Sequence, residues 1–337
     1  MSAKIAVAGN MIVDMLYGVD KYPQEGELAI LDNNVDKALG GAACNNTLDF
    51  AKLDPSLNII ALGQVGNDEN GKLIINTFNQ YKNIDTQFIK KEGITSFTAV
   101  MNDKQSKQRT FFQFKGANAN FSPDDINITK LKDENVKIFH IGYLMLLDKF
   151  DKHDELYGTK LSAILDKAQK QGIETSIDVV SSSNGDFKNI VCPALKYTDY
   201  CIINEYEAEQ ITGFKLKENG SFLENNMQQA LNKLKILGVK KWIVIHAPEK
   251  VYALDCINNS FVVINCLKLD NSYIKGSTGA GDALCTGILY GAYKNKSLEQ
   301  SIEIGIASAV ASLSEVGATE GLKPIDEVMS LYYKLKD

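Results

Sequence analysis

The sequence predicts an α/β protein: a mostly parallel sheet flanked by helices on both faces, with a small β lid set over one edge. Three observations carry this. From about residue 135 onward, short apolar runs alternate with helical segments of 10–15 residues, the rhythm of strand–helix–strand units. Polar residues and paired glycines recur just past the ends of apolar runs, where open α/β sheets place their ligand contacts. Two β-rich stretches in the first third, at about 15–35 and 96–116, lack a helical stripe and read as excursions from the core. With 337 residues and no internal repeat or long linker, the economical reading is one domain over 1–337 with the lid segments inserted in it.

In chain order, residues 5–8 read as a buried strand ending at Gly9, with Asn10 and Asp14 following where the chain leaves the sheet. Asp14 reads equally as a turn residue or a ligand contact. Gly40 and Gly41 precede small residues and a helix through Leu53, with Asn45 in its first turn. Two glycines there let a ligand approach a helix N-terminus. Residues 58–63 read as a strand, 69–80 as a helix, and 98–101 with 109–114 as a hairpin turning through 102–108. The second half reads as strands at 136–141, 174–179, 200–203 and 242–246, with helices at 155–171, 187–195, 205–212 and 225–237 among them. A β pair at 251–255 and 261–267 precedes a glycine-rich segment and helices at 280–293 and 298–316.

Composition bounds the function. The chain is 45% hydrophobic and 23% charged, with a net charge of -6, which argues against a nucleic-acid partner. Six cysteines show no C-x-x-C spacing, so buried free thiols are expected rather than disulfides or a zinc knuckle. No signal peptide or membrane-length apolar run is evident, so a cytoplasmic location is expected.

The segment 275–291, K-G-S-T-G-A-G-D-A-L-C-T-G-I-L-Y-G, carries the strongest chemical signal. Its glycines allow close backbone approach, and the helix after them turns free N–H groups and a positive dipole end toward the same spot. That makes an anion site, yet Asp282 places a carboxylate in it. Either Asp282 caps the helix or it takes a proton from a group arriving beside a phosphate. Asn204 and Glu207, three apart, fit a capping box and equally a hydrated Mg²⁺. His140 and His246 sit at strand ends, where a core histidine is the plainer reading. No nucleophile elbow, Walker loop or dinucleotide fingerprint is present.

Taken together, Asp14, Gly40-Gly41-x-x-x-Asn45, Gly63-x-x-Gly66-x-Asp68-x-x-Gly71, Asn204-x-x-Glu207 and Thr278-Gly279-Ala280-Gly281-Asp282 resemble the ribokinase-like (PfkB-type) carbohydrate kinase family over essentially the whole chain. The resemblance implies transfer of the ATP γ-phosphate to a hydroxyl of a small sugar, with Mg²⁺ as cofactor and Asp282 as base. It implies that Asn10, Asp14, Gly40, Gly41 and Asn45 hold the sugar, together with Asp282. It also implies that Asn204, Glu207, His246, Ser277, Thr278, Gly279, Ala280 and Gly281 hold the nucleotide, Glu207 meeting Mg²⁺ through water. A homodimer through the β lid is within its scope, and a nucleoside acceptor or a non-catalytic sugar-binding protein are the alternatives. For a nucleoside, Tyr17, Phe112, Phe114 and Tyr143 are the stacking candidates. The chain departs from the family at Gly276, where many members carry an aspartate tied to a monovalent cation; K⁺ activation is therefore in question. It also lacks glycines after His246, and lacks the Asn and Arg that follow the counterpart of Asp178 in fructokinase-like members.

Overall fold

The structure is a computed structural model that describes residues 3–33, 35–106, 108–182 and 185–336. A ten-stranded sheet forms its centre. From one edge it runs Ser260–Asn265, Lys250–Asp255, Trp242–His246, Tyr200–Asn204, Glu174–Val179, Val136–Leu144, Lys4–Ala8, Asn58–Val65 and Ile84–Asp85, with Ile89–Lys91 beside the far end of Asn58–Val65. Strands from Trp242–His246 to the Ile84 edge pair in parallel, and the two at the other edge are antiparallel.

Both faces of the central strands are buried, so those strands are largely apolar rather than alternating, whereas the edge strand Ser260–Asn265 is mostly exposed. In Lys4–Ala8, Ile5 and Val7 join one core and Ala6 and Ala8 the other, the period of two that a strand imposes. The first core takes residues from helices Ala42–Leu53, Ala280–Tyr293, Leu298–Leu313 and Ile325–Lys336. The second takes them from Lys160–Lys170, Glu205–Thr212 and Glu224–Leu237. No helix among the described residues is long and apolar enough to cross a membrane.

A separate four-stranded sheet, ordered Asp36–Gly40, Ile12–Val19, Ser96–Asp103 and Arg109–Phe114, forms the β appendage. Ser96–Asp103 and Arg109–Phe114 fall within the excursion expected at 96–116, whereas Ile12–Val19 begins before the one expected at 15–35 and overlaps it only at 15–19. Asp36–Gly40 lies outside those excursions, because its five residues carry no alternation and are held only by antiparallel pairing to Ile12–Val19. Of the turn at 102–108, Lys107 lies outside the described residues. The helix expected from 155 begins later, at Lys160, because His153–Asp154 and Gly158–Thr159 pair first as a small hairpin. Gly158 turns at φ 83°, and Thr159 caps the helix by accepting from the Ser162 N–H at 3.1 Å. The terminal helix Ile325–Lys336 was not legible in the sequence rhythm.

Candidate active site

The carboxyl ends of the parallel strands converge on the N-terminus of helix Ala280–Tyr293. Gly279 caps that helix in the left-handed region, φ 80° and ψ -5°, with no side chain bonded to the free N–H groups. A Cβ there would lie 2.7 Å from Ala318 Cα, so the close approach of the two loops also requires glycine. The helix start thus stays open, and Asp282 is not its cap.

Asp282 is buried, and its Oδ2 accepts from Asn45 Nδ2 at 2.8 Å and from Tyr143 Oη at 3.0 Å. Burial, reinforced by the nearby Asp178 charge, pushes its carboxyl up to about 7; the bonds from Asn45 and Tyr143 pull the other way. A helix N-terminus alone would favour the charged form. Desolvation outweighs it here.

On the side of helix Ala42–Leu53, Asn10 donates from Nδ2 to the Leu146 carbonyl at 3.2 Å. Both Asn10 Oδ1 and Asn45 Oδ1 are buried acceptors without a hydrogen-bond partner, which suits ligand hydroxyls. Asp14 stands on strand Ile12–Val19, its carboxyl raised by burial and steadied by the Thr98 hydroxyl. Gly40 makes room for it: a Cβ on Gly40 would overlap the Asp14 carboxylate. Gly41, at φ 84°, caps helix Ala42–Leu53, and a Cβ there would overlap the Asn10 carbonyl. Asp14, Leu16, Val100, Arg109, Phe111 and Thr278 line a cavity of about 920 Å³ between the four-stranded β appendage and the glycine loop.

The other side holds two further cavities, both touched by Asn204, His246 and Gly281. One, about 280 Å³, is lined by Asp178, Glu207 and Asp282 among others. The next, about 560 Å³, is walled by Leu267, Ile274, Leu284 and Val310, with Ser277 and Ala280 at its edge. Asn204 and Glu207 form a full capping box: Asn204 Oδ1 accepts from the Glu207 N–H at 2.9 Å, and Glu207 Oε2 from the Asn204 N–H at 3.0 Å. Glu207 Oε1 accepts from Ser181 Oγ and Asn204 Nδ2, each at 2.8 Å, and burial still lifts its carboxyl to about 7. Burial lowers His246 to about 4, so its ring is neutral at the cavity wall.

Sequence reasoning missed part of the constellation. Asp178 Oδ1 accepts from the Tyr143 N–H at 2.6 Å, and Tyr143 holds φ 59°, a left-handed value that a bulky residue adopts only when its surroundings impose it. His140 is fully buried, with Nε2 facing Asn46 Nδ2 at 2.9 Å and Nδ1 facing Ser176 Oγ at 3.0 Å. Asp68 serves structure: it caps helix Glu69–Phe78 by accepting from the Gly71 N–H at 2.8 Å and ties down the Thr95 N–H at 2.7 Å. Gly276 lies against the carbonyls of Glu315 and Val316.

The model of the pfkB family carbohydrate kinases matches residues 2–325. An ATP-dependent 6-phosphofructokinase of Thermoanaerobacterium thermosaccharolyticum is 24% identical over 334 residues, covering 97% of this chain and 93% of that protein. The adenosine kinase of Saccharomyces cerevisiae is 26% identical over 319 residues, covering 89% and 86%. Among solved structures, the Arabidopsis thaliana ribokinase complexed with ribose and ATP superposes with a TM-score of 0.80 at 20% identity, covering 98% of this chain and 99% of that one. The Thermotoga maritima ribokinase gives 0.78 at 20% identity, covering 99% and 100%. The central sheet and its flanking helices are thus those of the ribokinase fold.

Proposed function

The chain belongs to the pfkB family of carbohydrate kinases, and from that premise we propose that it transfers the γ-phosphate of ATP to a hydroxyl of a small sugar, with Asp282 as general base. The observation that carries this is the Asp282 carboxylate: buried, near neutral pH in its titration, and held by Asn45 and Tyr143 beside an open helix N-terminus. A base poised near the working pH combines the right protonation state with enough driving force.

Asp282 takes the acceptor proton as the acceptor oxygen bonds to the γ-phosphorus. The bond from that phosphorus to the β–γ bridging oxygen breaks, its electron pair leaves with ADP, and Asp282 later gives the proton to solvent. The free N–H groups after Gly279 face the charge that gathers on the transferring oxygens. Asn10, Asp14 and Asn45 hold sugar hydroxyls, and Gly40 and Gly41 leave space for them. Asn204, His246, Ser277 and Thr278 border the nucleotide phosphates, and the apolar 560 Å³ cavity takes the base.

Mg²⁺ fits the residues present: Glu207 and Asp178 face one small cavity, and burial holds the Glu207 carboxyl high, a cost that a cation would offset. Glu207 would hold it through water, and the ion would neutralise phosphate charge. The lid sheet closes over the sugar and keeps water from the γ-phosphate. Its far face exposes Phe112 and Phe114, 53% and 40%, where a second copy would pair.

A nucleoside acceptor is the second reading, favoured by Phe111, which lies on the cavity face and is 63% exposed. The stacking candidates read from the sequence face elsewhere. On strand Arg109–Phe114, Phe111 shares a face with Arg109, whereas Phe112 and Phe114 occupy the opposite one. Phe114 stacks on Phe97 at 5.2 Å, and Tyr143 is committed to Asp282. ADP formation measured across sugars and nucleosides decides between the two. Sugar-dependent turnover supports the reading, nucleoside-dependent turnover selects the second, and no substrate-dependent ADP release would sink both.

A further inference from the structure

An imidazole, a carboxylate and a thiol meet beside Asp282. His140 on strand Val136–Leu144, Asp178 on Glu174–Val179 and Cys285 on helix Ala280–Tyr293 are all buried, and one ligand atom from each lies within 4.8 Å of the others. His140 Nε2 stands 3.5 Å from Asp178 Oδ2. Cys285 follows Asp282 by three positions, which puts both on one face of the helix. Asp178 and Cys285 line the cavity of about 280 Å³ that Tyr143, Glu207 and Asp282 also border.

The Asn46 amide sets the tautomer of the imidazole. Its Oδ1 accepts from Thr286 Oγ1 at 3.1 Å, so its Nδ2 faces His140 Nε2 as a donor at 2.9 Å. Nε2 therefore carries the lone pair, and Nδ1 donates its proton to Ser176 Oγ at 3.0 Å. A metal-ligating histidine is held in this way, by its second nitrogen. Asp178 is prepared likewise: Oδ1 accepts from the Tyr143 N–H at 2.6 Å, which leaves Oδ2 toward the imidazole. Cys285 is a free thiol. A tetrahedral ion with bonds of about 2.0–2.3 Å sets its ligand atoms roughly 3.3–3.8 Å apart, so side-chain shifts of about 1 Å at most complete the triangle. Sulfur and imidazole donors select a soft or borderline cation over Mg²⁺, which prefers oxygen.

We propose that His140, Asp178 and Cys285 form an inhibitory site for a thiophilic divalent cation of the Zn²⁺ class. On binding, the cation displaces Asn46 from His140 Nε2, the Cys285 thiol gives its proton to solvent as the metal–sulfur bond forms, and the cavity supplies water for the fourth position. The bound ion withdraws Asp178 from the cavity assigned to Mg²⁺ and so blocks phosphoryl transfer. That effect rests on the kinase reading above; the binding does not.

Cd²⁺ is the probe, because its bond to a thiolate gives an ultraviolet charge-transfer band. Titrated into the full chain, it should raise that band to an end point of one ion per chain, and Zn²⁺ should erase it by competition. Cys285→Ser should lose the band, whereas Cys192→Ser, altered at a half-buried cysteine on another helix, should keep it. Ser176→Ala removes no ligand but frees the His140 ring, and should weaken Cd²⁺ binding about 10- to 100-fold. A parent without the band, a band that survives in Cys285→Ser, or parental affinity in Ser176→Ala would overturn the site. Parent chain preloaded with one Cd²⁺ should form no ADP with any acceptor that the metal-free chain turns over; unchanged turnover would overturn the inhibitory role. A metal-free parent with no acceptor-dependent turnover would instead sink the kinase reading, while the band and its loss in Cys285→Ser decide the site on their own.

Discussion

Asn45 Nδ2 lies 2.8 Å from Asp282 Oδ2, joining two helix N-termini that are 237 positions apart in the chain. Asn45 stands in the first turn of Ala42–Leu53 and Asp282 in the first turn of Ala280–Tyr293. Both residues are buried, and the oxygen of the Asn45 amide, Oδ1, has no partner. One amide therefore links the proposed base to the place where a sugar hydroxyl would sit.

That link sets the pH dependence. Only ionised Asp282 can accept a proton, and burial places its titration at about 7, so kcat/KM should rise with pH through that region. The Asn45 bond favours the charged form. Asn45→Ala should move the rising limb to higher pH, by about one unit if the lost bond is worth a typical charged hydrogen bond. A limb that stays in place or moves down would remove Asn45 from that role.

Asp282→Asn should bind nucleotide yet lose roughly 10²–10⁴-fold in kcat, the usual worth of a positioned base; turnover near that of the parent would refute the assignment. It should also be the more stable protein. The Asp282 carboxyl ionises near 3.8 in an unfolded chain and about 7 in the native one, so the native state binds this proton more tightly. The stability it lends is whole below 3.8 and is lost as pH rises through 7. Asparagine has no proton to lose, so the variant's melting temperature should exceed the parent's clearly at pH 8 and by less at pH 5. A gap independent of pH would mean that Asp282 is not buried with a raised pKa.

The elements best legible in the sequence were those with local signals. Helix Glu205–Thr212 announces itself through its Asn204–Glu207 capping box, and Ala280–Tyr293 through its glycine loop. Strands Glu174–Val179 and Trp242–His246 are apolar runs with sharp ends. Features that depend on partners far along the chain were not legible. Strand Asp36–Gly40 exists through its pairing, and the strained φ of Tyr143 through the fold around it. The side of the hairpin that faces the cavity is a matter of register, and a shift of one residue would exchange Phe111 for Phe112. The titration of Asp282 follows from burial, which no spacing of residues conveys.

Gly40 and Gly41 are adjacent but guard different things. A Cβ on Gly40 meets the movable end of the Asp14 side chain, whereas one on Gly41 meets the Asn10 backbone at φ 84°. Gly40→Ala should therefore melt near the parent temperature yet raise the acceptor KM as Asp14 is displaced, leaving nucleotide affinity alone. Gly41→Ala should lose about 2 kcal/mol or more, since a backbone at φ 84° and ψ 147° is open essentially to glycine alone and costs roughly 1–3 kcal/mol for a residue with a Cβ. Thermal melts and acceptor titrations on both variants test this; equal effects from the two would refute the division.

Gly276 bears on whether a monovalent cation takes part. The carboxylate expected from the family pattern is missing, and the backbone leaves little room for one: a Cβ on Gly276 would sit 2.8 Å from the Val316 carbonyl oxygen and 3.1 Å from that of Glu315. A side chain there must push backbone aside, which flexible neighbours could absorb but two loop carbonyls cannot do cheaply. Replacing K⁺ by choline at constant ionic strength should leave the parent's kcat/KM unchanged within error. Gly276→Asp should lower the melting temperature without creating K⁺ dependence, because the displaced carbonyls are the oxygens a cation would need. A parent enzyme that loses most of its turnover in choline would place a cation at those carbonyls despite the missing carboxylate, and would overturn this account of the loop.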